Sequence, residues 1–347
     1  MAEVEIPVHV VKNLADLFEL EQRLGDGSYA VVHLATRKRA TATRPSAAGL
    51  LADAARPNRV ALKRYKDTHI RDVGLPEPLV REAALLQRLR HRNIVQMDCI
   101  VLAKPRIFLA LEYCPHSLET VLDVRDSNNP DDYLVDPVLR ESEVAHVMRG
   151  LLNALTYCHA KGVIHRDISP SNIFLLLDTP FALEQATVKL GDFNLSRMSD
   201  NVEDATLTPG MTTISYRAPE VLMQYDRDEL ATYGTAVDLW SVGCICAEAV
   251  RGAPIFDHDT QLGMLAELIT ALGEPPEHMI ASWPERRRKS LVKGVRKAAA
   301  EHSNRGFRER LPQNISKSAV AFIEALLTYD PRNRLSAPQA LKHSFLL

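Results

Sequence analysis

The run His165-Arg166-Asp167-Ile168-Ser169-Pro170-Ser171-Asn172, followed twenty residues on by Asp192-Phe193-Asn194, holds the side chains best suited to chemistry. Asp167 is a candidate proton acceptor. Asn172 is an amide that can offer an oxygen to a cation, and Asp192 adds a second carboxylate. Moving a phosphoryl group from ATP needs such a set: one group to orient the incoming hydroxyl, and hard oxygen ligands for Mg²⁺. Asp167 is therefore the candidate base, and Asn172 and Asp192 are the candidate metal ligands.

These residues need a scaffold. Residues 17 to 35 and 59 to 113 read mostly as short strands with one helix among them. Phe18 to Leu24, Ala30 to Thr36 and Val60 to Tyr65 are strand-like runs, broken by Gly25-Asp26-Gly27. Small residues in Gly25-Asp26-Gly27-Ser28-Tyr29-Ala30-Val31-Val32 let backbone N–H groups approach phosphates, although for Gly-x-Gly taken alone a plain hairpin turn is the default reading. A Walker P-loop is excluded, since no Gly-Lys-Ser/Thr leads into a helix. After Cys114 the texture turns helical: Val144, Val147, Met148, Leu151, Leu155 and Cys158 share one helical face, and Gly162 follows as a stop. Phe322, Ile323, Leu326 and Leu327 mark another amphipathic helix.

Composition narrows the class. At 347 residues, with 46% apolar and 25% charged side chains and a net charge of −2, the chain reads as a globular protein and not as a general binder of nucleic acid or membrane surfaces. No apolar run reaches membrane-spanning length, and the N-terminus lacks the pattern of a signal peptide. Cys99, Cys114, Cys158, Cys244 and Cys246 are an odd, scattered set in apolar surroundings, which suits reduced thiols in an intracellular protein, nuclear or cytoplasmic. Residues 37–58 read as a mobile loop between strands or a basic partner patch, 124–136 as a polar loop, and 284–306 as a solvated face or a docking surface.

Taken in order, the glycine turn, Val60-Ala61-Leu62-Lys63, the catalytic run, Asp192 and Ala218-Pro219-Glu220 resemble a eukaryotic protein kinase over nearly the whole chain. The resemblance implies an α+β, two-lobed fold with a core of about 18–346. A mainly β lobe would span 18–113 with the 37–58 insertion, and a mainly α lobe 114–347 with an insertion at 272–312. It implies ATP and Mg²⁺ as cofactors. Gly25, Asp26, Gly27, Ser28, Val32 and Ala61 would line the nucleotide, with Leu111 at the back of its pocket. Glu112 and Cys114 would meet adenine through their backbones. Lys63, paired with Glu82 on the following helix, would hold the α- and β-phosphates. Thr213 would contact the catalytic loop, Asp238 would brace it, and Arg334 would pair with Glu220.

The segment Gly74-Leu75-Pro76-Glu77-Pro78-Leu79-Val80-Arg81-Glu82 is similar to the Pro-Ser-Thr-Ala-Ile-Arg-Glu helix of the cyclin-dependent kinases. That likeness implies a cyclin-like regulatory subunit. Arg81, Arg166 and Arg197 stand where that family gathers arginines around a phosphothreonine, here Thr208, with Thr206 and Thr212 as weaker candidates. Arg217 resembles the residue behind a preference for serine or threonine followed by proline. Ser28-Tyr29 matches a pair used for inhibitory phosphorylation, although Tyr29 also fits a plain loop-tip aromatic. Three departures stand out: Ala30 replaces a glycine, Ser169 a lysine that reaches the transferring phosphate, and Asn194 the glycine of Asp-Phe-Gly. Asn tolerates a left-handed backbone, so Asn194 is expected to take that conformation. A cyclin-independent proline-directed kinase and a pseudokinase scaffold remain alternatives.

Overall fold

The computed structural model describes residues 6–27, 29–38, 58–66, 75–126, 138–178, 182–198, 214–223, 234–281, 288–289, 292–297 and 306–347. Ser28, Thr206, Thr208, Thr212 and Thr213 lie outside them, as do most of the expected loops at 37–58 and 124–136. The chain divides into two compact units: one of Met1–Pro115 with Gly191–Leu195, the other of His116–Leu190 with Ser196–Leu347. The first is mainly β and the second mainly α, the α+β class implied by the sequence.

The first unit is built on a six-stranded sheet, ordered β1-β5-β6-β4-β3-β2. Its strands are β1 (Val8–Val11), β2 (Phe18–Asp26), β3 (Ala30–Arg37), β4 (Arg59–Tyr65), β5 (Met97–Ala103) and β6 (Arg106–Glu112). β1 was not expected from the sequence; it pairs parallel with β5, while the other pairings are antiparallel. Register sorts the side chains. Val32 faces Lys63, Lys63 faces Leu109, and Ala61 faces Leu111, so these residues share one face. The alternate residues Val60, Leu62, Phe108 and Ala110 pack with Phe18, Ala35, Cys99 and Val101 in an apolar cluster on the other face. Burying Leu62 thus fixes which way Lys63 points.

Among the described residues of this unit the one long helix is α1 (Glu77–Arg88), which starts after Pro76 and carries Pro78 in its first turn, where a missing N–H leaves no hydrogen bond unmade. Leu79, Glu82, Ala83 and Leu86 recur at helical spacing and are buried. The helix packs against the short turn Phe193–Leu195.

In the second unit β7 (His116–Ser117) leads into α2 (Leu118–Asp126), so residues 124–126 are helical and not part of the expected polar loop. Ser117 explains the start: its hydroxyl accepts the N–H of Thr120 at 3.1 Å. Next come α3 (Glu141–Ala160), β8 (Val163–Ile164), β9 (Ile173–Leu176), β10 (Thr187–Leu190), β11 (Arg197–Met198), α4 (Pro219–Leu222) and α5 (Ala236–Arg251). α5 is buried along nearly its whole length, and α3 and the helix Lys317–Leu326 pack on it. At Gly150 a Cβ would stand 2.5 Å from the Val188 side chain, so only glycine lets α3 lie this close to β10. β8 pairs with β11 and β9 with β10, and these short ladders frame the catalytic run.

Candidate functional site

In the first unit, Lys63 is the centre of a buried charge cluster. Its ammonium contacts Glu82 Oε1 at 3.0 Å, Glu82 Oε2 at 2.7 Å and Asp192 Oδ1 at 2.8 Å. Lys63 is 5% exposed and Glu82 0%, so neither charge is stabilised by water and each depends on the other. Burial alone would pull the lysine pKa down, but the adjacent Asp192 and Glu82 carboxylates outweigh it and hold the ammonium charged. One cation serves two carboxylates. Burial therefore pushes Glu82 upward, with Lys63 opposing and Asp192 reinforcing. Tyr65, two residues along β4 from Lys63, donates its hydroxyl proton to Glu82 Oε2.

The left-handed residue after β10 is Asp192 itself, with φ 59°, and not Asn194 as the sequence suggested. Phe193–Leu195 then forms a right-handed turn, so Asn194 needs no special backbone. Its carbonyl accepts a bond of 2.8 Å from Arg81. Arg81 also pairs with Glu77 on its own helix. A Cβ added at Gly25 would meet nothing within 4 Å, so that glycine answers to no packing demand. At the C-terminal end of β6, the N–H of Glu112 donates to the Gln96 carbonyl at 2.8 Å. Cys114 is half-buried, whereas the other four cysteines are fully buried, and all five are free thiols.

In the second unit the catalytic run is clamped from below by Asp238, near the N-terminus of α5. Its Oδ2 accepts the His165 N–H at 2.9 Å and a His159 ring nitrogen at 2.8 Å; Oδ1 accepts the Arg166 N–H at 2.8 Å. Burial would raise this carboxyl, but the bond and charge of His159, the nearby His165 and the Arg166 N–H hold it below its ordinary value. Arg166 is bent to φ 73°, a strained backbone for a side chain of its size, and the Asp238 clamp holds it there. Asp167 follows directly. Asn172 donates its side-chain N–H₂ to the Asp167 carbonyl at 2.8 Å and to Oδ2 at 3.0 Å. Both bonds use the amide N–H₂ and leave the amide oxygen out of them. The Ser169 and Ser171 hydroxyls sit 2.9 Å apart, a neutral pair where the resemblance led one to expect a lysine.

Arg197 faces Ile164 across the β8–β11 ladder, which brings it beside the strand leading to Arg166. The turn Ile214–Tyr216 is tied to α5 by a 2.7 Å bond from Ser241 to the Tyr216 carbonyl, and Arg217 follows it. Glu248, deeper on α5, bonds the Tyr216 hydroxyl; burial pushes its carboxyl up to about 7, with that bond opposing and Glu119 adding to the rise. Arg334 reaches both oxygens of Glu220, at 2.9 and 3.2 Å, and lies over the Trp240 ring. Sequence reasoning missed Tyr65, Glu248 and His159. The first two need tertiary contacts to become visible, while His159 could have been suspected from its place at the end of an amphipathic helix just before the catalytic run.

The protein kinase domain model matches residues 18–346. The chain belongs to the protein kinase family, and it is an ATP-dependent serine/threonine kinase. Among its relatives, cyclin-dependent kinase 4 of Mus musculus is 36% identical over 281 residues, covering 79% of this chain and 82% of that protein. The Bos taurus protein of the same name is 35% identical with the same coverage. Cell division control protein 2 homolog 3 of Trypanosoma brucei brucei is 30% identical over 333 residues, covering 96% of this chain and 93% of its own. Among the described residues no helix is long and apolar enough to cross a membrane.

Proposed function

We propose that this chain is a kinase activated by a cyclin-like subunit, phosphorylating serine or threonine followed by proline with Mg²⁺ and ATP inside the cell, in nucleus or cytoplasm. The observation that carries this reading is the Lys63 ammonium, held charged between Glu82 and Asp192. A lysine so fixed presents a phosphate-binding charge without spending conformational entropy when the nucleotide arrives. The Glu82 bond couples that charge to α1, the helix a partner would seat. Leu75 and Val80 at the start of that helix are 58% and 46% exposed, apolar surface suited to a protein partner. The relatives named as cyclin-dependent kinases favour the same partner class.

Each remaining role follows from chemistry. Gly25, Asp26, Gly27 and Ser28 would cover the phosphates. Val32 and Ala61, on the Lys63 face of the sheet, would cover one side of the base, with Leu111 at the back of the pocket. The Glu112 N–H is already committed to Gln96, so its adenine contact would fall to the carbonyl, with Cys114 supplying the neighbouring backbone group. Asp192 and the side-chain oxygen of Asn172 are the hard donors that suit Mg²⁺, which when bound neutralises charge on the phosphate oxygens. Asp167 would take the proton of the substrate hydroxyl, with Asn172 and Thr213 holding the loop. Arg217 would help select proline after the acceptor. Phosphorylation of Thr208 would draw on Arg81, Arg166 and Arg197, whereas phosphate on Ser28 or Tyr29 would repel the nucleotide. The five free thiols suit a reducing compartment.

The deciding assay is phosphate transfer to a Ser-Pro peptide and its Ser-Ala counterpart by the purified chain, alone and with cyclin-box proteins. Transfer should require the proline and rise with one of those proteins. Asp167→Asn should lower kcat by about 10²–10⁴-fold. Equal rates with and without every cyclin-box protein would end the partner reading, and unaltered kcat in Asp167→Asn would remove the base. Undiminished activity in Thr208→Ala would dispose of the activating switch.

A further inference from the structure

Tyr65 has no part in the roles above, yet its hydroxyl ends in the charge cluster of Lys63 and Glu82. As the last residue of β4 it projects from the same face as Lys63, two positions earlier. The side chain is 4% exposed. Its hydroxyl donates to Glu82 Oε2 and lies 3.4 Å from the Pro78 carbonyl in the first turn of α1. A phenol has one proton to give, and the carboxylate is the stronger acceptor. The Lys63 ammonium sits 5.4 Å from the centre of the Tyr65 ring.

Glu82 is therefore anchored to β4 twice, once by a cation and once by a neutral hydroxyl. The two anchors differ in what else claims them. Lys63 is shared with Asp192 at 2.8 Å, and a nucleotide phosphate would be a further claimant. The Tyr65 hydroxyl carries no charge to divide. Burial, with the Glu82 carboxylate beside it, pushes the phenol far up, so it stays a donor over the whole working range of pH. On the other side of the bond, the Tyr65 hydroxyl helps keep Glu82 ionised against its burial.

We propose that Tyr65 is a positioning residue: a neutral tether that holds α1 against β4 through Glu82 even while Lys63 is drawn to another anion. The inference deepens the reading of α1 as the helix on which a partner acts, and its kinetic consequences rest on that reading. Part of the work of seating the helix is then built into this chain.

Tyr65→Phe keeps the ring and removes the hydroxyl. In the full chain without nucleotide, amide hydrogen exchange across Glu77–Arg88 should accelerate about tenfold, the weight of one hydrogen bond to a charged group, with the thermal unfolding midpoint little changed. Adding Tyr65→Phe to Lys63→Met should accelerate it again, because the anchors act separately. In the Tyr65→Phe single variant kcat/KM for ATP should fall several-fold while KM for the Ser-Pro peptide holds. Unaltered exchange in Glu77–Arg88 overturns the tether whether or not phosphate is transferred. Acceleration spread evenly through the first unit, with a matching fall in the midpoint, also overturns it, because that is ordinary loss of packing. Local acceleration in a chain that transfers no phosphate would leave the tether standing and remove the role given to Lys63 instead.

Discussion

Around Lys63, side chains are held in place by opposite charges in a dry setting; around Asp238, one buried carboxylate is held by backbone and ring N–H groups. The first arrangement is adjustable. Three contacts converge on one ammonium, and a new anion can redistribute them. The second is fixed, because Asp238 is anchored on a helix buried along nearly its whole length and its partners are the backbone of the catalytic run itself. A site that must respond to a nucleotide and a partner benefits from the first kind of cluster. A site that must hold one base in one orientation benefits from the second.

Three substitutions test that contrast. Asp238→Ala should do most, destabilising the protein by about 3–5 kcal/mol, because it strands the buried His165 N–H, the half-buried Arg166 N–H and a half-buried His159 ring nitrogen. Urea unfolding would measure it, and a loss below about 1 kcal/mol would mean that the clamp is decorative. Lys63→Met should lower kcat/KM for ATP by roughly 10²–10³-fold, the scale of removing one preorganised charge contact, while unfolding free energy changes less than in Asp238→Ala. Should stability fall more than in Asp238→Ala, the adjustable cluster is the structural one and the contrast is reversed.

The smallest effect sharpens the comparison with a third group, Glu248. Its folded pKa, about 7, is above the ordinary glutamate value of 4.5. A carboxyl raised on folding gives stability that is fully present below pH 4.5 and is lost as pH rises through about 7. Glu248→Gln cannot ionise, so it should flatten the fall of the unfolding free energy between pH 5 and pH 8 by roughly 2–3 kcal/mol. An equal slope in both proteins would show that Glu248 is not the titrating group.

Much of the second cluster was legible because it is contiguous: Asp167 and Asn172 are five residues apart and read as one motif. Lys63 was singled out by the resemblance of Val60-Ala61-Leu62-Lys63 and not by alternation; in the structure Val60 and Leu62 join the apolar cluster and Lys63 takes the opposite face. The rest needed packing. Tyr65 meets Glu82 only because β4 and α1 lie together, and no local pattern marks a strand tyrosine as a carboxylate partner. β1 is four residues long, too short for its alternation to stand out. The left-handed residue after β10 fell on Asp192 because the following three residues close a right-handed turn, which propensity at Asn194 alone could not reveal.

β1 has a practical consequence. It occupies the end of the six-stranded sheet beside β5, with Pro7 accepting the Ile100 N–H at 3.0 Å and His9 buried against the unit. The stretch shared with the protein kinase domain model begins only at Phe18. An expression fragment trimmed to that shared stretch would strip β5 of its neighbour and leave a bare row of N–H and C=O groups, a surface that recruits other copies and favours aggregation.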